Sequence, residues 1–462
     1  MWFLLWTNEI IKIRIKGVKL VVKFNKESIE LIRNKINSEE FKTTGRLKKT
    51  SFTRKRKMGF TKLMEYILNK KGLTTSMEIN NFYNDINEEE NISNQSLLDQ
   101  RLKLNPEVFI TLNKDYLKLF YQEHKEEVTL YKGYLLKAID GSDFEIPNTK
   151  KSKKIYGTVG TKVTDKANTI ARATVSTCYD VLNKYIIEGF ISSYRTSENK
   201  SSLEHLKHDQ EITKDYKSIY IMDRGYISIE FMLSCIKNNS KFLIRLDSKA
   251  YEKERSKIGS NDEYINLEYT NNRLKRRHYQ SEKIRLYAKE IKSSKLRIVT
   301  YELNTGEVEQ LITNLEMDEF TYDDIVELYG KRWEIETLYY SLKWKLKTEK
   351  FTSSFKTIIE QDFFSSVLVF NMISSMMKEA EEKIQQNKYK HEMTINENMV
   401  IGLFKNEMIK IMLEEDENKR FELYDNLIDK MSKDKIPVRK DRKYKVHFSP
   451  YNKNSYNKLS SV

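Results

Sequence analysis

Between residues 329 and 343, four side chains suited to phosphate or metal binding recur at helical spacing. Tyr329, Arg332, Glu336 and Lys343 follow one another at steps of 3, 4 and 7. At about 100° per residue they share a sector roughly 60° wide on one helix face. Leu328, Ile335, Leu338, Leu342 and Leu346 form the neighbouring apolar stripe, so the charged stripe runs along the edge of burial, where a cleft wall would stand. Alone, the pattern equally describes an exposed helix whose Arg332–Glu336 pair contributes only tenths of a kcal/mol. Two aspartates change the balance. Asp140 ends the apolar run YLLKAID and Asp223 ends YIMD, although each singly is also in the place of an ordinary turn cap. Two strand-end aspartates and a helical glutamate supply three hard oxygen donors, a set suited to Mg²⁺, with Mn²⁺ as substitute. Two such ions about 4 Å apart activate an attacking oxygen and stabilise a leaving one in in-line phosphoryl transfer. On that reading Arg332 binds phosphate bidentately and Lys343 as a point charge. Asp143 competes with Asp140 for the metal role; Asp140 is preferred because it directly ends the strand.

The elements that must position these residues are legible around them. YLLKAIDGSDFEIP, NTIARATVSTCYDVLN and KYIIEGFISSY read as three consecutive strands, and KSIYIMDRGY, ISIEFMLSCIKNN and KFLIRL as strand, helix and strand. That order predicts an α/β fold with a mixed sheet. Thr321 is the expected N-cap of the helix carrying Glu336, with Asp324 as its capping-box acid. Residues 25–125 read as helical and basic: Arg46, Lys48, Lys49, Arg54, Lys55, Arg56 and Lys57 are interleaved with Phe52 and Phe60. A one-signed run this dense suits phosphate as well as it suits a solvated face. NISNQSLLDQRLKLNPEVF begins with a serine cap and places Gln95, Gln100, Arg101 and Lys103 on a polar side, compatible with the second helix of a helix-turn-helix. Residues 248–312, including NLEYTNNRLKRRHY, KIRLYAKEI, RIVTYEL and an Asn304-Thr305-Gly306 turn, read as a β insertion carrying Lys275, Arg276 and Arg277. The expected boundaries are an N-terminal extension at 1–24, a basic helical domain at 25–125 and the first part of the sheet at 126–247. The insertion at 248–312 follows, then the rest of the core with the Glu336 helix at 313–385, and a helical region with a basic tail at 386–462.

Bulk properties restrict the partners. With 82 basic and 67 acidic residues among 462, the net charge is +15. Such a balance favours a polyanion, nucleic acid more than membrane. Cys178 and Cys235 are too few for a disulfide framework or a structural zinc site, which points to a reducing cytoplasm. The start MWFLLWTNEIIKIRIKGVKLVV has no basic region before its apolar run, and charges interrupt it from Glu9. A soluble, cytoplasmic protein without a membrane partner is therefore expected. His205 and His208 give an H-x-x-H spacing with no further ligand nearby and read as solvent-exposed helix rather than a zinc site. No phosphate-binding loop or dinucleotide fingerprint is present, so no ATP-driven step is expected.

At the three acids and the stripe the sequence resembles the DDE transposases of bacterial insertion sequences, in the branch marked by a Y-(2)-R-(3)-E-(6)-K signature, the insertion-sequence-four family. Tyr329, Arg332, Glu336 and Lys343 match that signature at every spacing, and DGS at Asp140 and MDRGY at Asp223 match the contexts of the first two acids. The intervals are 83 residues (140 to 223) and 113 residues (223 to 336), and the longer one accommodates the family's β insertion. YRTSENKSSLEHL and LITNL also fit, and the resemblance covers roughly 40 to 385. It implies an RNase H-like core interrupted by the insertion, an N-terminal helical DNA-binding region, and Asp140, Asp223 and Glu336 as catalytic and Mg²⁺-binding residues. It further implies that Tyr329, Arg332 and Lys343 serve double-stranded DNA, together with Arg54, Lys55, Arg56, Lys275, Arg276 and Arg277. A homodimer would pair two terminal inverted repeats and move them to target DNA by cut-and-paste transposition, in relatives through a hairpinned end. One departure stands out. Relatives place a Trp in the insertion to stack on a flipped base, whereas the Trps here are Trp2, Trp6, Trp333 and Trp344, leaving Tyr264, Tyr269 and Tyr279 in the insertion. Two alternatives share the fold: a DNA-binding protein that has lost transposition, against which three intact acids speak, and a nuclease that cleaves without joining.

Overall fold

The computed structural model describes residues 22–160, 169–303 and 305–438. Residues 1–21, Asn304 of the expected turn, and the tail from 439 lie outside the described residues. β1 (Tyr134–Glu145), β2 (Thr158–Gly160), β3 (Thr169–Asp180), β4 (Tyr185–Ser193), β5 (Lys217–Met222), β6 (Lys241–Arg245), β7 (Asp262–Glu268), β8 (Ser293–Glu302) and β9 (Val308–Thr313) form one mixed sheet. Its order is β2-β3-β1-β5-β6-β9-β8-β7, with β4 also paired to β3. β1, β5 and β6 run parallel, and every other pairing is antiparallel. The central strands read as near-continuous apolar runs because both faces are covered: Leu135, Leu136, Ala138 and Ile139 of β1 and Ile219 to Met222 of β5 are all buried.

Helices precede, interrupt and follow the sheet. α1 (22–37), α2 (Glu39–Thr44), α3 (Phe60–Leu68), α4 (Thr75–Asp85), α5 (Asn94–Arg101) and α6 (Glu107–Lys118) come first. α7 (Lys150–Tyr156), α8 (Glu198–Thr213), α9 (Ile229–Lys237), α10 (Glu252–Arg255) and α11 (Glu282–Ile291) lie between strands. α12 (Tyr322–Gly330), α13 (Trp333–Tyr340), α14 (Lys356–Gln385), α15 (Glu397–Leu413) and α16 (Glu417–Lys433) complete the chain. Successive strand residues point to opposite faces. Ser176 of β3 meets His205 of α8 at 3.0 Å, while Thr177 donates to the Tyr339 hydroxyl of α13 at 3.1 Å. α8 and α13 therefore sandwich the sheet. The 30-residue α14 packs on β4 and carries α3, α6 and α16. Asn371 on α14 ties these layers together: its side chain donates to Asn113 Oδ1 of α6 at 2.8 Å and accepts from the Ile186 amide of β4 at 2.8 Å.

Several local expectations change. KIRLYAKEI forms helix α11 rather than a strand. Ser281 caps it by accepting from the Ile284 amide, and its inner face buries Ile284 and Ala288. The strands of 248–312 join the central sheet through β9, which pairs with β6. The segment 328–347 is not one helix. α12 ends at Gly330, a tight turn follows with Arg332 N–H bonded to Tyr329 O at 3.0 Å, and α13 then widens into a π-type turn over Ser341–Lys345. Gln100 and Arg101 are buried rather than on a polar side, because Arg101 is ion-paired inside the protein. His205 is buried too, not solvent-exposed: Phe190 stacks on its ring and Glu188 and Ser176 satisfy its nitrogens. The Thr321–Asp324 capping box and the Ser93 cap are present, and the five leucine and isoleucine residues of the apolar stripe are all buried.

Candidate active site

Strand register brings the first two acids side by side. Ile139 on β1 lies opposite Met222 on the parallel neighbour β5, so the next residues, Asp140 and Asp223, sit side by side roughly 5 Å apart in backbone spacing. Asp223 directly follows its strand, but Asp140 does not end its own as expected, because pairing with β3 carries β1 on to Glu145. Asp140 is half-buried, and its Oδ1 accepts from the Gly141 amide at 2.8 Å. Burial pushes the Asp140 carboxyl up to about 6; the Gly141 amide and Arg332 pull it down, while Asp223 and Glu198 add to the rise. Asp223 caps the turn Arg224–Tyr226 through the Arg224 amide at 2.7 Å. Arg245, one step past the β5–β6 pairing of Met222 with Ile244, holds Asp223 by Nε at 2.7 Å and reaches Glu309 of β9 with Nη1.

The third acid arrives on α13, which is tethered to β1 at Asp140. The Tyr339 hydroxyl donates to the backbone carbonyl of Asp140 at 2.7 Å, and Glu336 lies one turn before it. Glu336 accepts from Arg332 Nη2 at 3.1 Å. Arg332 is only 5% exposed. Burial works against its charge, yet Tyr329, Asp223, Glu336 and Asp140 together raise its pKa above the ordinary guanidinium value. One guanidinium thus feels all three acids. Tyr329 is buried beside it, and its hydroxyl has no hydrogen-bond partner among the described residues. Lys343 donates to Ser142 Oγ at 2.8 Å and to the Asp143 carbonyl at 2.7 Å, so it braces the chain immediately after Asp140. Asp143 is three residues past Asp140 on the same strand and therefore points to the opposite sheet face.

The donor set suits a hard divalent cation: two carboxylates on adjacent strand positions, a third on the helix bonded to β1, and an Asp140 carboxyl raised chiefly by burial and further by like-charged neighbours. As placed, Asp223 is engaged by Arg245 and Glu336 by Arg332, and among the described residues no three His, Cys, Asp or Glu side chains converge as a ready ligand cluster. The remaining sequence candidates lie elsewhere on the surface. Arg54, Lys55 and Arg56 are exposed on the loop before α3, and Lys275, Arg276 and Arg277 are exposed around the turn Arg276–His278. Sequence reasoning missed Glu198, Arg245 and Tyr339. Arg245 ends β6 beside the place where Asp223 follows β5, which is the one signal that pointed to it. Glu198 opens α8, and its Oε2 lies so close over Gly225 that a Cβ there would meet it at 1.8 Å; glycine in the DRGY motif makes room for it.

A family model for the transposase DDE domain matches residues 131–372, just over half of the chain. The chain belongs to the transposase DDE domain family. All three acids, Arg332, Lys343 and the tethering Tyr339 fall inside the matched span. The transposase for insertion sequence element IS1151 of Clostridium perfringens is 23% identical over 235 residues, covering 41% of this chain and 50% of that protein. The match thus spans half the length of that curated relative. A cryo-EM structure of a piggyBac transposase synaptic complex with hairpin DNA aligns over 93% of this chain and 86% of its own, with a TM-score of 0.40 and 11% identity. Among the described residues no helix is long and apolar enough to cross a membrane.

Proposed function

We propose that this chain is the transposase of a bacterial insertion sequence, in the branch with the Y-(2)-R-(3)-E-(6)-K signature. It cleaves double-stranded DNA at terminal inverted repeats and joins the ends to target DNA as a homodimer. The observation that carries this reading is the parallel pairing that sets Asp140 beside Asp223, with Glu336 on the helix tethered to Asp140 by Tyr339, within a transposase DDE domain. On this reading β1, β5 and β6 with their flanking helices are the RNase H-like core, 248–312 is its insertion, and the basic helical region 25–125 binds DNA. Asp140, Asp223 and Glu336 would hold Mg²⁺ or Mn²⁺, which when bound supplies activation of the attacking oxygen and stabilisation of the leaving one. The chain's own residues prepare that site. Tyr339 fixes the spacing between α13 and Asp140 of β1, Lys343 braces Ser142 and Asp143, and Arg245 and Arg332 balance the charge of Asp223 and Glu336. Arg332 is also placed to take a DNA phosphate bidentately, and the exposed Arg54, Lys55, Arg56, Lys275, Arg276 and Arg277 add longer-range attraction.

The test uses labelled duplexes carrying the element's own terminal repeats, with Mn²⁺ and a plasmid target. The protein is expected to cut at the repeat end and join that end to the plasmid. Asp140→Asn, Asp223→Asn and Glu336→Gln are expected to lose cleavage while repeat binding changes by less than about threefold, since few phosphate contacts are lost. Cleavage without joining would replace this reading with a hydrolytic nuclease, and repeat binding without cleavage by the wild type would replace it with a silent DNA-binding protein.

A further inference from the structure

The helix that delivers Glu336 carries an unusual outer surface. Trp333, Tyr340 and Trp344 are 60%, 56% and 70% exposed, among the most exposed large hydrophobic side chains of the described residues. Trp333 and Tyr340, seven residues apart at the two ends of α13, share one face, and Trp344 follows four residues on in the wide turn. Glu336 is exposed on the same segment, about 60° or less around the helix from Trp333 and Tyr340 at 100° per residue. The apolar stripe of this helix is already buried on the sheet, so these three rings are additional to the core.

We infer that Trp333, Tyr340 and Trp344 form a stacking platform for unpaired nucleotides of a DNA strand led past Glu336. The inference rests on the DNA reading proposed above and goes beyond it by naming a surface and a strand state. Cations accompany the rings: the Arg332 guanidinium lies 4.8 Å from the Trp333 ring centre, and Lys345 Nζ lies 5.7 Å from that of Tyr340. A platform of rings edged with cations complements a polyanion that also offers flat faces. Duplex DNA presents phosphates and groove edges with its base faces already stacked, so it gains little from such rings; an unpaired strand has its faces free. The dimensions agree. The seven α-helical steps from Trp333 to Tyr340 rise about 10 Å, close to three base steps at the ~3.4 Å rise of a stacked strand. Among the described residues no ring pair joins Trp333, Tyr340 and Trp344 to one another, so each face is separately available. A partner protein would instead meet a line of isolated rings broken by Glu336, Thr337 and Lys343.

The experiment measures equilibrium binding of the full-length protein to a single-stranded oligonucleotide containing 2-aminopurine, and to the same strand annealed as a duplex, without added metal. Trp333→Ala, Tyr340→Ala and Trp344→Ala are each expected to weaken single-strand binding about 5- to 100-fold, with duplex affinity changed less than about twofold. Trp333→Phe and Trp344→Tyr are expected to retain most of the single-strand affinity, and thermal melts are expected to be unchanged because the side chains are exposed. Equal losses for single strand and duplex, or no loss in the triple alanine variant, would overturn the platform. So would a triple variant that turns a dimer into a monomer in sedimentation while keeping single-strand affinity, since the stripe would then be an interface between copies. Failure of cleavage in the repeat assay leaves these binding measurements intact, so the two readings fail separately.

Discussion

Asp362 on α14 offers a sharp test of whether the N-terminal helices and the catalytic sheet are one structural unit. It is buried and accepts from Arg101 of α5 at 2.7 Å, from Lys70 just past α3 at 2.7 Å, and from the Thr352 amide at 3.0 Å. Both cations are largely buried with it. Burial raises the Asp362 carboxyl, but Arg101 and then Lys70 outweigh it and hold the group down at about 2. Burial drives Lys70 the opposite way, downward, so the permanently charged Arg101 is the dependable half of the clasp. Asp362→Ala leaves two buried cations without their counter-ion, a change that costs about 3–5 kcal/mol. In urea, at about 3 kcal/mol/M, the midpoint is expected to fall by at least ~1 M. The pH dependence has a definite sign. A carboxylate whose folded pKa is depressed contributes stability above about pH 4, and that contribution disappears as pH falls toward 2. Wild type is therefore expected to lose part of its advantage over Asp362→Ala in that window. A double-mutant cycle with Arg101→Met isolates the pair. An Asp362→Ala midpoint within ~0.2 M of wild type, or a coupling energy near zero, would refute the clasp.

Three further outcomes follow from the geometry. Tyr339→Phe removes the hydroxyl that links Asp140 and Thr177; a stability loss of about 1–3 kcal/mol is expected with slowed single-turnover cleavage, and wild-type values for both would remove its positioning role. Glu127 is buried with neither carboxylate oxygen hydrogen-bonded, and burial pushes it up to about 8. Because the folded state holds the proton more tightly, stability is expected to fall as pH rises from about 4.5 to about 8, and Glu127→Gln to flatten that fall in thermal melts; an unchanged profile would contradict it. Replacing Arg54, Lys55 and Arg56 together by Ala is expected to lower the log–log salt slope of DNA binding by up to about 3, at ~0.9 per phosphate contact. An unchanged slope would show that the loop stays clear of DNA.

The sequence disclosed most where a local rule is strong. Alternation and apolar runs located β1, β3, β4, β5 and β6, the Thr321–Asp324 pair marked the start of α12, and helical spacing identified the buried Leu328–Leu346 stripe. It disclosed less where tertiary partners override a pattern. KIRLYAKEI alternates well enough for a strand, but the Ser281 cap and the burial of Ile284 and Ala288 favour a helix. Arg101 and His205 look like surface residues because polar side chains usually are; their buried partners, Asp362 and Glu188, come from 261 and 17 residues away. The stripe itself was read as one helix, and the tight turn after Gly330 with the wide turn at 341–345 redistributes it. Tyr329 and Arg332 go inward, Glu336 stays outward, and Lys343 turns back onto the strand.

That redistribution answers why a helix should gather an aromatic, two cations and a carboxylate. The three acids are held by three separate means: Asp140 by its position in β1, Asp223 by capping the turn after β5, and Glu336 by the Tyr339 tether. Parallel pairing of β1 with β5 turns two local features into neighbours, and β6 adds Arg245 beside them in the same register. Bringing carboxylates near one another is unfavourable unless cations stand among them. Arg245 comes from the sheet and Arg332 from the helix, each already paired with one acid. An exposed salt-bridged helix needs no buried arginine, since an i,i+4 pair forms equally well in solvent. Here Arg332 is sequestered while its partner Glu336 is not, and it senses two further acids contributed by other elements. On the proposed reading the stripe is part of the acids' charge balance, with Lys343 bracing the chain just after Asp140.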